Sequence, residues 1–219
     1  MIMHAHMEQR IKEAGIIAVL VLQHEQDIRP TVEALLAGGV HAVELTLRTS
    51  IALDAIRIIH TEYPEMLLGV GTILTPNQIP EVQECGGDFG VAPGLNRAVM
   101  DAALAAGLPF APGIATPSDI ESALEYGCRI LKFFPAEPSG GLSYLRSMYA
   151  PYAHLGLSFI PLGGISQKNL AEYAREPMIG GIGGSWIAPK ELIAAKQWDT
   201  ITAAAHEART TFFKERNHG

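Results

Sequence analysis

Eight short apolar runs separated by longer amphipathic stretches constrain this chain more than any other feature. The runs are Ile16–Val21, Ala42–Leu47, Leu67–Thr72, Phe89–Ala92, Phe110–Pro112, Ile130–Phe134, Phe159–Leu162 and Met178–Ile182. They have the lengths of strands, and Gly or Pro flanks most of them. Between them, Asp27–Ala37, Ile51–His60, Ala98–Ala106 and Ile120–Glu125 repeat apolar residues at spacings of three and four, the helical pattern. Thr75-Pro76-Asn77-Gln78 and Thr116-Pro117-Ser118-Asp119 read as helix starts, with a hydroxyl cap, an early Pro and a side chain that reaches back. Gly38-Gly39, Gly86-Gly87, Gly107 and Gly127 read as helix stops just before the next run.

Alternating strand and helix implies a parallel sheet with right-handed crossovers. Eight such units predict a single α/β domain over residues 1–219, a (β/α)8 TIM barrel. A short helix precedes the first strand, residues 1–7 are expected to be flexible, and Ile201–Phe213 forms a last amphipathic helix. An open doubly wound sheet uses the same units. However, the first run passes into Leu22-Gln23-His24 without the glycines of a dinucleotide fingerprint.

Composition narrows the classes of function. The chain has 219 residues, enough to bury a core without covalent staples, and its 48% hydrophobic content is too high for disorder. Two Cys supply neither a disulfide framework nor a Cys-rich zinc module, and they read as free thiols of a cytoplasmic protein. A net charge of −7 argues against nucleic-acid and anionic-membrane partners. The first residues lack the basic stretch and apolar run of a signal peptide. No apolar stretch approaches the ~20 residues that span a bilayer. His4 and His6 fall in the expected flexible end, and no His pair has a metalloprotease-type spacing, so no metal is expected.

A barrel carries its site at the C-terminal ends of its strands, so charges there are informative. In His41–Arg48, alternation places Val43, Leu45 and Leu47 on one face and Ala42, Glu44, Thr46 and Arg48 on the other, inward face. Interior charges must be paired or held by a site. In the third run Leu68, Val70 and Thr72 share a face, with Thr72 at the end. In the sixth, Lys132 shares a face with Ile130 and Phe134. Burial disfavours the charged form of an amine, and a neutral amine can attack a ketone to form a Schiff base. A lysine here either does this or pairs with Glu44 or solvent. Gly163-Gly164 follows the seventh run and Gly183-Gly184-Ser185 the eighth. Barrels often bind phosphate at these two loops, though such glycines also make plain turns. On these residues an imine-forming lyase, a non-catalytic phosphate-binding barrel and a phosphosugar isomerase with Glu44 as base all stay open.

Five segments in order, Val43–Thr49, Gly69–Thr72, Pro93-Gly94-Leu95, Lys132–Glu137 and Gly183–Trp186, resemble the bacterial 2-keto-3-deoxy-6-phosphogluconate (KDPG) and 4-hydroxy-2-oxoglutarate (KHG) aldolases. The likeness runs from about Ile11 to about Ala208. It implies a class I aldolase, usually a homotrimer, with an anionic small-molecule substrate and no cofactor or metal. It implies Lys132 as the Schiff-base lysine and Glu44 as general acid/base. Arg48 and Thr72 would hold the pyruvyl carboxylate, with Pro93 and Phe134 shaping the pocket. Gly163, Gly164, Gly184 and Ser185 would take the phosphate. Leu162 stands where many phosphogluconate-type members carry Thr, Ala92 where Ser is frequent, and Val21 where some have Arg. The Leu162 departure bears on the configuration preferred at C4, and together they leave the galactonate-type substrate as an alternative, although the Lys132–Glu137 run is closer to the gluconate type.

Overall fold

A computed structural model describes residues 5–218. In chain order the elements are α1 (Ala5–Ala14), β1 (Ile16–Leu20), α2 (Ile28–Ala37), β2 (Ala42–Thr46), α3 (Ala52–Glu62), β3 (Leu67–Gly71), α4 (Gln78–Glu84), β4 (Phe89–Val91), α5 (Arg97–Ala106) and β5 (Phe110–Ala111). They continue with β6 (Gly113–Ile114), α6 (Pro117–Glu125), β7 (Ile130–Phe133), α7 (Gly141–Tyr149), β8 (Ser158–Pro161), α8 (Leu170–Ala174), β9 (Ile182–Gly184), α9 (Lys190–Ala194) and α10 (Trp198–His218). Residues 1–4 of the expected flexible end lie outside the described residues. Residues 5–7 open α1, where Met7 is buried and fixes the first turn to the core.

All strand pairs are parallel, in a six-stranded sheet of order β5-β4-β3-β2-β1-β9 and a three-stranded sheet of order β6-β7-β8. The fifth expected strand, Phe110–Pro112, stops at Ala111, because Pro112 has no N–H to give to a ladder, and a separate short strand that the sequence reading did not expect, Gly113–Ile114, follows it. β5 pairs with β4 and β6 with β7, while the Pro112 carbonyl accepts from the Lys132 N–H at 2.9 Å. The eighth expected strand, Met178–Ile182, is displaced. Ile179 makes a single bridge to Phe159, and the strand that pairs with β1 is Ile182–Gly184. Gly180 and Gly181 carry the chain from one neighbour to the other.

Helix ends follow local chemistry. Thr116 and Asp119 form a complete capping box on α6. At Thr75 half of the device is present: the Gln78 side chain accepts from the Thr75 N–H, but regular helix starts three residues later. Gly39 supplies a turn at φ +81, whereas Gly38 is there for packing: a Cβ on it would lie 2.5 Å from that of Ala205 on α10.

The strands separate two apolar clusters. The larger, between strands and helices, holds Val43, Leu45, Leu68, Val70, Leu131 and Phe133. The smaller holds Ile17 and Val19 of β1, Ala42 of β2, Phe89 and Val91 of β4, Ile130 of β7 and Ile160 of β8, with Met7 and Ile11 of α1 packed among them. Glu44, Thr46 and Lys132 have the same parity as this smaller set, so period-2 alternation directs them away from the helices. Cys85 and Cys128 are both free and buried, and burial pushes the Cys128 thiol up to about 12.

Candidate active site

Lys132 on β7 and Glu44 on β2 meet across 88 residues of sequence: the Lys132 Nζ donates to Glu44 Oε1 at 2.8 Å. Both are almost fully buried, at 5% and 3% exposure. Register explains the meeting. Glu44 lies opposite Val19 of β1 and Gly69 of β3, while Lys132 lies opposite Gly113 of β6 and Ile160 of β8. Each is flanked by small or apolar residues, and the two polar ends turn to each other. Lys132 also stands 5.4 Å from the centre of the Phe134 ring, within cation–π range. A buried ion pair is weak evidence for stability, since its desolvation cost rivals its attraction. Its retention in the smaller cluster points instead to chemistry.

The pair lies at a cavity of about 320 Å³. Of the residues expected at the site, Glu44, Arg48, Thr72, Pro93, Lys132, Phe134, Gly163, Gly184 and Ser185 line it. Gly164 does not. It sits one residue beyond, where a Cβ would come within 2.5 Å of the Glu137 Cβ. Arg48 and Ser185 are exposed at the rim. Three more residues line it: Val19 and Thr46, which had no role assigned from sequence, and Leu162, which was noted there as a departure bearing on C4 preference. Alternation from Glu44 already put Thr46 inward, and its hydroxyl donates to the Leu20 carbonyl at 3.1 Å, tying β2 to the end of β1.

Thr72 reaches the cavity by a route that alternation misses. Strict alternation would send it with Leu68 and Val70 to the helix side. The strand stops at Gly71, and Thr72 takes φ +63. That region is rare for a β-branched residue and costs about 1–3 kcal/mol, a strain found most often at functional sites.

Gly71 gives the Glu44 carboxylate its room, since a Cβ there would collide with Glu44 Oε1. We expect Gly71→Ala to displace the carboxylate and lower kcat on the order of 10²-fold. Steady-state kinetics beside a thermal melt would check this, and an unchanged kcat would mean that Glu44 needs no fixed position.

A family model for KDPG and KHG aldolases matches residues 7–204. The chain belongs to the KDPG and KHG aldolase family. Among curated members, it is 40% identical to the KHG/KDPG aldolase of Escherichia coli over 92% of this chain and 93% of that one. It is 39% identical to the 2-dehydro-3-deoxy-phosphogluconate aldolase of Dickeya dadantii, with the same coverage. Among solved structures of the family, the Legionella pneumophila KDPG aldolase, which holds pyruvate as a covalent carbinolamine, aligns with a TM-score of 0.88 at 35% identity, over 92% of this chain and 97% of that one. The Zymomonas mobilis KDPG aldolase with 3-phosphoglycerate aligns with a TM-score of 0.84 at 37% identity, over 92% and 94%.

Proposed function

We propose that this member of the family is a class I aldolase. It cleaves a 2-oxo-3-deoxy-6-phosphosugar acid to pyruvate and glyceraldehyde 3-phosphate, and 4-hydroxy-2-oxoglutarate to pyruvate and glyoxylate, through an imine on Lys132. The observation that carries the reading is the buried 2.8 Å contact between Lys132 Nζ and Glu44 Oε1. A phosphate-binding barrel has no use for that pair. An isomerase needs the base but not the lysine. The carbinolamine held by the Legionella pneumophila relative supports the same chemistry here.

One carboxylate can serve every proton step. Glu44 takes a proton from Lys132, and the free amine adds to the C2 carbonyl of the substrate. The protonated Glu44 returns its proton to the carbinolamine hydroxyl, which leaves as water and gives an iminium. Glu44 next accepts the proton of the C4 hydroxyl. The C3–C4 bond breaks, C4 becomes the aldehyde carbonyl, and the bonding pair moves into the iminium as an enamine. Reprotonation at C3 and hydrolysis release pyruvate and regenerate the amine. Arg48 and Thr72 hold the carboxylate, for which a guanidinium fork is well shaped. Pro93 and Phe134 bound the pyruvyl end. The phosphoryl group lies at Gly163, Gly184 and Ser185, with the Gly164 amide as a further donor.

The reading extends to the whole assembly. The segment Phe110–Ile114 joins the two sheets, and the Phe159–Ile179 bridge ties β8 to the residues that lead into β9, the strand paired with β1; both support a closed (β/α)8 barrel. Following the resemblance, the barrel is proposed to act as a cytoplasmic homotrimer; a monomer mass by light scattering would remove that part. Borohydride trapping with pyruvate should label Lys132. Unmodified protein, or an adduct on another lysine, would sink the aldolase reading.

Leu162 favours a second substrate. With Val19 it lines the cavity with apolar surface, and its side chain lies where a Cβ on Gly183 would come within 2.7 Å. A wall without a hydroxyl gives no hydrogen bond to one C4 configuration, which suits the galactonate-type phosphosugar acid as well as the gluconate type. Leu162→Thr should raise kcat/KM on the gluconate type about five- to tenfold, the worth of one hydrogen bond. A lactate dehydrogenase-coupled assay across gluconate-, galactonate- and hydroxyglutarate-type substrates tests it, and equal rates before and after would release Leu162 from specificity.

A further inference from the structure

The segment after β7 and the loop after β8 are fastened together by more than strand pairing. The Ala136 N–H donates to the Leu162 carbonyl at 2.7 Å, and the Glu137 N–H to the Gly163 carbonyl at 2.9 Å. Gly163 lies against Phe134 and Pro135, and Gly164 against the stem of Glu137, so both glycines rest on this segment. The Glu137 carboxylate then accepts from the Tyr173 hydroxyl, Oε1 to Oη at 2.5 Å. Tyr173 is fully buried on α8, the helix that follows the glycine loop. Burial and this carboxylate hold the phenol far above its ordinary range, so it stays a donor. On the other side, Asn169 Nδ2 donates to the Gly164 carbonyl at 3.3 Å. Gly163 and Gly164 both take positive φ, at +93 and +85. Their carbonyls are engaged, and among the described residues no acceptor meets their N–H groups.

We propose that the Glu137–Tyr173 hydrogen bond is a clamp that positions the Gly163–Gly164 amides for the phosphoryl group, and that it sets how strongly the enzyme prefers phosphorylated substrates. The inference rests on the aldolase reading above. Glu137 does not line the cavity and Tyr173 is buried behind it, so both act through the loop and are positioning residues. Successive backbone amides with no partner of their own are an anion-binding arrangement, and its strength depends on their being held in place.

Tyr173→Phe removes one hydroxyl and leaves the ring. It should raise KM for the phosphorylated 2-oxo acid about tenfold while kcat stays within twofold, and KM for unphosphorylated 4-hydroxy-2-oxoglutarate should not move. Glu137→Ala should match it, and Glu137→Gln, which keeps an acceptor for the hydroxyl, should stay near wild type. Borohydride trapping of pyruvate on Lys132 should be the same in all four proteins. A KM rise shared equally by both substrates, or no rise, would overturn the clamp and leave the aldolase standing. Wild-type protein that neither forms the adduct nor cleaves either substrate would overturn both.

Discussion

Lys132→Met is expected to abolish the pyruvate adduct and to lower turnover on the order of 10⁶-fold, the scale set by loss of other covalent nucleophiles. The substitution nearly preserves length and removes the amine proposed to join the substrate. It also leaves Glu44 as a buried carboxylate without its cation, at a cost of about 3–5 kcal/mol. The variant should therefore melt earlier than wild type, and Lys132→Met combined with Glu44→Gln should recover much of that loss without recovering any activity. Mass spectrometry after borohydride reduction gives the first result and thermal unfolding the second. Turnover within 100-fold of wild type would mean that the reaction does not pass through Lys132.

Glu44→Gln is expected to lower kcat about 10²- to 10⁴-fold, the usual share of general acid/base catalysis. The amide can still accept from Lys132 Nζ, so folding and pyruvate capture persist, the latter more slowly. Binding and proton transfer are thereby separated: KM should change little while kcat falls. A kcat within tenfold of wild type would reduce Glu44 to a charge partner. The Gly71→Ala variant, which leaves the carboxylate but moves it, should fall between this result and wild type.

The parts of the fold legible in the sequence are those fixed by short-range rules. Alternation in β2 and β7 placed Glu44 and Lys132 on the side away from the helices, because nothing interrupts the extended backbone there. The capping box at Thr116 was readable because all its partners lie within three residues. Other features depend on distant partners. Thr72 leaves the alternation through a left-handed backbone that its own residue type disfavours. Pro112 and Gly180-Gly181 pass the chain from one neighbour to another, so an unexpected strand, Gly113–Ile114, follows the fifth run and the eighth moved on to Ile182–Gly184. Glu137 closes the Lys132–Glu137 segment but had no role assigned from sequence, because its partner lies 36 residues away on a helix of only five residues. Leu162 was visible as a departure, but not its seat over Gly183.

That seat is one of several. Glu44 rests over Gly71, Phe89 over Gly69 and Phe110 over Gly90, each large side chain occupying space left by a glycine on the paired strand, and Leu162, just past β8, rests in the same way over Gly183 of β9. Such couples make the pocket's evolution directional. The glycine can gain a side chain only after its partner has shrunk, whereas the partner is free to shrink first. A change of shape at this wall therefore begins at Leu162 and not at Gly183, and the reverse order passes through a protein whose strands no longer fit.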